Sequence, residues 1–225
     1  MLVSFTLNPN YVPTTLCKTY PSIYECVRIK VPKNKKEPYW TWQEYFPKQD
    51  INLLQNINRR NTLLRHNHIV AVPRQNFGAL FFSPLSLTIP DREKQVVVDL
   101  NVMAWGAYDN GNLIRWGVAN GGSKICVDSK KPLCKTPVGE WKVLEKRGTV
   151  SRSKLYPLDC ADKKRCGFPM LWMVRFHLNG SGIHSSKWIS GFNGSHSCIR
   201  ILLRDARWIN KEFTEIGTKI IIKDY

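Results

Sequence analysis

The sequence predicts a mainly β protein with one main C-terminal helix, preceded by a small α+β unit. A long β-rich run over 95–108, the turn sequence DNGN at 109–112 and a second β-rich run over 113–119 are together typical of a β-hairpin. Near the C-terminus, Asp205 is a candidate helix cap, and apolar residues at 206, 209, 213 and 216 form a helical stripe. Strands and helices do not alternate regularly here, so βαβ units are not expected.

Three regions are expected: a small unit over 1–74, a connector over 75–91 and a larger domain over 92–225. In the first unit we expect a strand near 26–31, two short helices near 39–46 and after Asp50, and a strand near 68–72. The connector contains two prolines and mixed apolar residues, which indicates a segment partly packed on one of its neighbours.

The chain is strongly basic, with 34 Lys and Arg against 17 Asp and Glu, a formal net charge of +17. Such a surface attracts polyanions, whether nucleic acid, anionic lipid or an acidic cell-wall polymer. The basic residues are scattered and are not interleaved with aromatic residues in a nucleic-acid-reading motif, so no specific nucleic-acid partner is expected. No apolar run approaches the ~18 residues of a transmembrane segment, and residues 1–7 do not form a secretory signal.

Cysteine parity singles out one thiol. Six of the seven cysteines form three couples close in sequence, which suits local disulfides in an oxidising compartment: Cys17 and Cys26, Cys126 and Cys134, and Cys160 and Cys166. Sequence alone allows other pairings, but pairing of these six leaves Cys198 as a free thiol, either buried or functional. No Cys-x2-Cys motif occurs, so neither a zinc site nor another cofactor is expected.

Cys198 follows His184 after a glycine-containing stretch. A thiol becomes a strong nucleophile as its thiolate, and a neighbouring imidazole can accept the proton if a third group holds it in the required tautomer. Taken alone, a histidine such as His184 is more often a structural residue of the core or the surface.

The order of motifs over 92–225 resembles the L,D-transpeptidase (YkuD-type) catalytic domain of bacterial cell-wall enzymes. The resemblance is carried by the hairpin, TPVG at 136–139, MLW at 170–172, IHS at 183–185 and SHSCIR at 195–200. It implies a β-sandwich fold in which the segment with the cysteine lies beneath a capping loop.

The resemblance also implies catalytic roles. Cys198 would be the nucleophile and His184 its base, with the backbone carbonyl of Ser185 orienting His184. The backbone N–H groups of Ser197 and Cys198 would form the oxyanion hole. The family usually has Gly where this chain has Ser197, and a serine there is strained if the position needs a positive φ.

Other positions would bind substrate. Arg200 would face the carboxylates of the substrate, and the remaining residues would shape or line its approach: Ser195, His196, Trp188, Trp172 and Met170. A purely structural role for His196, and a partial core role for both tryptophans, are the alternatives.

The implied reaction transfers a donor tetrapeptide stem to the amine of a diaminopimelate on another stem, forming a 3→3 crosslink and releasing D-alanine. The partners would be peptidoglycan stem peptides and glycan, and a carbapenem would acylate Cys198. The protein would act in the bacterial periplasm or cell envelope, its signal peptide absent from this sequence. The alternatives are a catalytically weak peptidoglycan-binding protein, an L,D-carboxypeptidase, or a relative that attaches proteins to peptidoglycan.

The first unit resembles a LysM module, a small glycan-binding fold. Trp42 and Phe46, Leu54 with Asn58, and the closing IVAVP at 69–73 carry this resemblance. The usual Gly-Asp-Thr after the first strand is replaced by KNKK at 33–36. A packed helper unit that only positions the larger domain is the alternative.

Overall fold

The structure is a computed structural model that describes residues 11–123, 126, 134–154 and 161–225. The expected cysteine pair partner Cys160 lies outside these residues. In the described part of the chain, no helix is both long and apolar enough to cross a membrane.

The N-terminal part contains the expected strand, helix, helix and strand, together with a helix before them and a short strand on each side of the helix pair that were not predicted. Its helices are α1 (Tyr11–Thr19), α2 (Trp42–Tyr45) and α3 (Ile51–Ile57), and its strands are β1 (Tyr24–Arg28), β2 (Tyr39–Trp40), β3 (Leu64–Arg65) and β4 (Ile69–Pro73). Strand β1 pairs antiparallel with β4, and β2 with β3. Their hydrophobic core includes Trp42, Leu54 and Val70.

Local sequence explains where the two short helices begin. Thr41 and Glu44 form a capping box at the start of α2. Asp50 caps α3, as expected, because its Oδ1 accepts the N–H groups of Asn52 at 2.9 Å and Leu53 at 3.1 Å. These caps fix two helices that are too short to be stable alone.

The larger part of the chain is built on one nine-stranded sheet. Its strands are β5 (Gln95–Asp99), β6 (Ala104–Asp109), β7 (Asn112–Asn120), β8 (Gly139–Lys142), β9 (Glu145–Lys146), β10 (Val174–Arg175), β11 (Gly182–Ser185), β12 (Ile199–Ile201) and β13 (Lys219–Ile222). Their spatial order is β8-β13-β5-β6-β7-β12-β11-β10-β9.

Most neighbouring strands are antiparallel, but β13 runs parallel to β5 and β11 runs parallel to β12. Val96 and Ile220 belong to strands near one end of the strand order, and Val174 and Ile183 belong to strands near the other end. All four residues share one core, so the sheet curls around that core. The mainly β class is confirmed. All nine strands belong to one curled sheet, whose two ends face each other across the core.

The N-terminal part shares a second core with the curled sheet. Ile57 and Ala71 pack in one cluster with Val97, Tyr108 and Trp116 of the sheet. The connector contributes a 3₁₀ turn, Ala79–Phe82, whose Phe82 is buried in the same cluster. The two parts are therefore joined by an apolar interface, and not by a free linker.

The C-terminal helix differs from the prediction at both ends. Helix α5 spans Leu203–Trp208 and continues as a π-helical turn, Ile209–Phe213. Asp205 is not its cap but lies inside the helix, 2% exposed, with its carboxylate 2.8 Å from Nη2 of Arg115. Ile216 lies beyond the helix and is 64% exposed, so the apolar stripe ends at Phe213.

Two disulfides are described, Cys17–Cys26 and Cys126–Cys134. Cys166 is disulfide-bonded as well. Cys166 is the last residue of a short helix, α4 (Lys163–Cys166). Cys198 is the free cysteine among the described residues.

Candidate active site

The parallel pair β11 and β12 brings together the IHS sequence at 183–185 and the SHSCIR sequence at 195–200. Ile183 pairs with Ile199 and His184 with Arg200, and both isoleucines are buried in the core. Because side chains alternate along a strand, His184 and Arg200 lie on the opposite face, and Cys198 lies on that face two residues before Arg200. Two segments separated in sequence thus present an imidazole, a thiol and a guanidinium on one surface.

This surface forms part of a cavity of about 970 Å³. Nine of the ten predicted catalytic and substrate-binding residues line it: Met170, His184, Ser185, Trp188, Ser195, His196, Ser197, Cys198 and Arg200. The exception is Trp172. It adopts a positive φ of 56° and packs against the main hydrophobic core, with Lys211 Nζ 5.5 Å from its ring centroid. Trp172 is thus partly buried against the core and does not line this cavity, which fits the partial core role that the sequence left open.

The tautomer of His184 follows from its hydrogen bond. His184 Nδ1 lies 2.8 Å from the carbonyl oxygen of Ser185, and a carbonyl oxygen can only accept. Nδ1 therefore carries the proton, and Nε2 has a free lone pair. Burial lowers the pKa of His184 to about 4, the Ser185 carbonyl raises it and Arg200 lowers it further. At neutral pH this imidazole is uncharged.

Cys198 has intermediate solvent exposure, and its thiol group is buried. Burial raises the pKa of the Cys198 thiol, while a hydrogen bond from the backbone of Gly182 and the charge of Arg200 lower it. The net effect is a raised pKa, so at neutral pH the cavity contains a neutral thiol and a neutral imidazole. Such a pair requires proton transfer to the base when the sulfur reacts, since no thiolate is stored in the resting state.

Ser197 adopts φ +97°, in the region that favours glycine. The strain anticipated from the sequence is therefore present at this position. The Ser197 hydroxyl accepts a hydrogen bond from Ser181 Oγ at 2.8 Å. Within the described chain, neither the N–H of Ser197 nor that of Cys198 donates to a backbone carbonyl.

Ser195 supports the same turn from within. It is 2% exposed, its N–H donates to the carbonyl of Gly121 at 3.0 Å, and its hydroxyl donates to the carbonyl of Cys198. These bonds turn the carbonyl of Cys198 towards Ser195. Ser195 thus holds the backbone at the cysteine in addition to lining the cavity.

The cavity is lined by five cationic residues and, among the described residues, by no carboxylate. Two of these cations, Arg147 and Arg175, share Glu145 at 2.7 and 2.9 Å, and the pKa of Glu145 falls to about 2, chiefly through Arg147. Arg200, Lys154 and Lys187 have no carboxylate partner within the part of the chain that is described.

No pattern in the sequence singles out these additional cations. Arg147 follows β9, Arg175 lies on β10, and Lys154 precedes residues that the structure does not describe. Arg147 and Arg175 come together because β9 pairs with β10. A strand-pairing prediction would have been needed to find the group.

Trp188 lies on the cavity wall, whereas His177 has a structural contact. Trp188 is 45% exposed on the cavity wall. His177 contacts Trp141 edge to face, with ring centroids 4.5 Å apart, as suits a structural residue. Among the described residues, no group of three or more His, Cys, Asp or Glu is placed to hold a metal ion.

The fold and this surface together define a mainly β protein in which a histidine on β11 and a cysteine just before the neighbouring parallel strand β12 line one cavity. Residues 93–222, more than half of the chain, match the YkuD family, the L,D-transpeptidase catalytic domain. The chain therefore belongs to the L,D-transpeptidase family. The match leaves residues 1–92 unassigned, so the LysM resemblance is not confirmed.

Several solved structures are similar to this chain, and the first of those that follow shows the same fold. An L,D-transpeptidase from Xylanimonas cellulosilytica has a TM-score of 0.55 and 21% identity, covering 76% of this chain and 77% of that chain. An L,D-transpeptidase from Mycobacterium smegmatis has a TM-score of 0.47 and 24% identity, covering 59% of each chain. L,D-transpeptidase 3 from Mycobacterium tuberculosis, described in complex with a faropenem-derived adduct, has a TM-score of 0.46 and 20% identity, covering 71% and 75%. No curated protein matches the chain significantly.

Proposed function

We propose that the protein is a peptidoglycan L,D-transpeptidase in which Cys198 is the nucleophile. The observation that carries the proposal is the placement of Cys198 and His184 on one face of β11 and β12, within one cavity. The hydrogen bond between His184 Nδ1 and the Ser185 carbonyl supports it, because it leaves Nε2 ready to accept a proton.

In the proposed first half-reaction, Cys198 Sγ attacks the carbonyl carbon after the third residue of a donor tetrapeptide, and its proton passes to His184 Nε2. The backbone N–H groups of Ser197 and Cys198 stabilise the oxyanion of the tetrahedral intermediate. The intermediate collapses with cleavage of the C–N bond. His184 returns the proton to the leaving amine, and D-alanine departs from a thioester on Cys198.

In the second half-reaction, the side-chain amine of a diaminopimelate on another stem attacks the thioester. His184 accepts a proton from this amine and returns it to the sulfur as the C–S bond breaks. The product is a 3→3 crosslink, and the free thiol is restored. A neutral imidazole with a pKa near 4 is in the basic form required at both steps.

The charge of the cavity supports an acidic stem peptide as substrate. Arg200, Lys154 and Lys187 line the cavity without a carboxylate partner in the described chain. Stem peptides carry several carboxylates, which these cations would bind. Ser195, His196, Trp188 and Met170 would complete the walls of the binding site.

The acceptor distinguishes the related candidate functions. Water as acceptor would make the protein an L,D-carboxypeptidase, and a protein amine would make it a protein-attaching relative. The strain at Ser197 favours one further candidate, a catalytically weak peptidoglycan-binding protein, since that residue would form part of the oxyanion hole. The proposed setting for all of these is the bacterial periplasm or cell envelope.

The N-terminal part is proposed as a degenerate LysM-like module over 1–74, joined through 75–91 to the catalytic domain over 92–225. The strand, helix, helix and strand order supports the proposal. Its contribution to glycan binding would be measured with purified peptidoglycan and chitooligosaccharides.

An assay with purified disaccharide-tetrapeptide separates these functions. Wild-type protein is expected to release D-alanine and form a crosslinked dimer, and Cys198→Ala is expected to do neither. Tripeptide without dimer would identify a carboxypeptidase. Binding without either product would leave only the wall-binding function.

A further inference from the structure

One side chain of the N-terminal part holds the segment that connects His184 to Cys198. Asn61 Nδ2 donates to the carbonyl of Lys187 at 3.0 Å, and the N–H of Ile189 donates to Asn61 Oδ1 at 2.6 Å. The backbone N–H of Asn61 also donates to the carbonyl of Ile189 at 3.1 Å. Asn61 thus makes three hydrogen bonds to the two residues that flank Trp188.

The catalytic domain itself anchors the following residues. Asn120 Oδ1 accepts the N–H groups of Ser190 at 3.1 Å and Gly191 at 3.3 Å. Ile189 is buried with Val118 and Leu202. The backbone carbonyl of Lys187 and the backbone N–H and carbonyl of Ile189 form their hydrogen bonds with Asn61 instead. Asn61 belongs to the N-terminal part of the fold.

Trp188 is the residue whose position these bonds determine. Its two neighbours are fixed by Asn61, and its ring is 45% exposed on the cavity wall. Lys187 Nζ lies 5.3 Å from the centroid of that ring, so an aromatic face and a cation are presented together. A side chain held in this way before substrate arrives loses less conformational entropy on binding.

The approach of the segment to the N-terminal part is also close at the backbone level. Gly191 adopts φ +82°, and a Cβ atom at this position would lie 3.5 Å from the carbonyl oxygen of Arg59. The segment therefore follows the surface formed by residues 59–61. The cavity wall at Lys187 and Trp188 is built against the N-terminal part of the chain.

We propose that Asn61 is a positioning residue that sets substrate affinity by fixing Lys187 and Trp188 on the cavity wall. This inference rests on the proposed transpeptidase function, with an acidic stem peptide as the ligand. Asn61 does not reach the thiol or the imidazole, which are held by β11 and β12. Its loss should therefore weaken substrate binding more than the chemical step.

The test compares Asn61→Ala and Asn61→Asp with the control Asn52→Ala, an exposed asparagine on α3 of the same part of the chain. With disaccharide-tetrapeptide, Asn61→Ala should raise KM about five- to thirtyfold and change kcat little, because two side-chain hydrogen bonds are lost. Asn61→Asp keeps the acceptor for Ile189 and should give a smaller rise. Asn52→Ala should match the wild type.

A double-mutant cycle tests whether Asn61 acts through Trp188. In a Trp188→Ala background, Asn61→Ala should raise KM less than it does in the otherwise wild-type protein, because one of the two residues that it positions is absent. An equal KM in Asn61→Ala and Asn52→Ala would overturn the proposal. A full additional rise in the Trp188→Ala background would overturn it as well.

Hydrogen exchange provides a readout that does not depend on turnover. The amide of Ile189 should exchange about tenfold faster in Asn61→Ala than in Asn52→Ala, while amides of β12 keep their protection. Unchanged exchange at Ile189 would contradict the positioning role whatever the activity. Absence of product from the wild type, with faster exchange in Asn61→Ala, would instead reject the proposed reaction and leave the structural role intact.

Discussion

At the scale of single residues, Ser197 is the most informative position. Its φ of +97° is one that glycine adopts freely, and a side chain there costs about 1 kcal/mol or more. The hydroxyl of Ser197 accepts a hydrogen bond from Ser181, which is 1% exposed and lies on the turn before β11. The serine therefore joins the turn at Cys198 to the start of the strand that carries His184.

This link predicts coupling between the two serines. Ser181→Ala should lower the free energy of unfolding by about 1 kcal/mol, because the Ser197 hydroxyl loses its partner. In a Ser197→Gly background, the same substitution should cost much less, since no hydroxyl remains to be satisfied. Urea unfolding of the four proteins measures this difference. Equal costs in the two backgrounds would show that the hydrogen bond contributes nothing.

The pKa of His184 predicts how stability changes with pH. Its folded pKa is about 4, below the ~6.5 of an unfolded histidine, so the unfolded chain binds more protons between these values. The stability associated with the neutral imidazole is complete above pH 6.5 and decreases as pH falls towards 4. Since each unit of pKa difference corresponds to about 1.4 kcal/mol, the decrease should be on the order of 3 kcal/mol.

Comparison of wild type with His184→Gln isolates this effect, because His68, whose pKa burial also lowers to about 4, is present in both proteins. The difference between their free energies of unfolding should change with pH in the window from 6.5 to 4 and be constant above it. A difference that stays constant over the whole range would mean that His184 is not buried as a neutral group.

At the scale of elements, helix α5 is attached to β7 by a polar contact within an apolar core. Asp205 accepts a hydrogen bond from Arg115 Nη2, and burial raises the pKa of Asp205 while Arg204 and Arg115 lower it. Helix and strand approach closely at Gly117. A Cβ atom there would lie 2.7 Å from Trp105 Nε1 and 2.9 Å from Asp205 Oδ2.

Gly117→Ala is therefore expected to destabilise the protein by about 1–3 kcal/mol, because the added methyl group forces apart side chains that have no room to move. Gly148→Ala is the matched control, since a Cβ atom there would have no heavy atom within 4 Å. Denaturant unfolding measures both variants. Equal stabilities of the two would contradict the close packing of α5 on β7.

The elements also show what sequence patterns can and cannot reveal. The turn sequence at 109–112 predicts the β6–β7 hairpin because its residues favour a positive φ, which Asn110 and Gly111 adopt. The limits of α5 were wrong because Asp205 resembles a cap in sequence, whereas its tertiary partner Arg115 lies on a distant strand. The partial core role of Trp172 likewise depends on contacts with residues remote in sequence.

At the scale of the whole molecule, the candidate site depends on long-range strand pairing. Cysteine parity and motif order can be read from the sequence without any tertiary structure, and they point to His184 and Cys198 as candidates. The pairing of β9 with β10 and the contact of Asn61 with residues 187–189 depend on tertiary register, which sequence periodicity does not encode. The Glu145–Arg147–Arg175 group and the role of Asn61 therefore emerge only from the structure.

The shared core gives the N-terminal part a structural role beyond any ligand it binds. Ile57 and Ala71 cover Val97, Tyr108 and Trp116 of the catalytic sheet, and Asn61 fixes part of the cavity wall. A change in the N-terminal part can therefore reach the cavity through packed contacts. For this reason, activity is best measured on the whole chain.

The central claim is that Cys198 is the nucleophile, and the mass of the intact protein after incubation with a carbapenem tests it most directly. Attack of the thiol on the β-lactam carbonyl opens the ring, so the wild type should gain the full mass of one carbapenem molecule. Cys198→Ala should gain nothing under the same conditions. Cys17, Cys26, Cys126, Cys134 and Cys166 are disulfide-bonded and should not react. An unmodified wild type whose thiol still reacts with a small alkylating reagent, or an equal adduct on Cys198→Ala, would contradict the account.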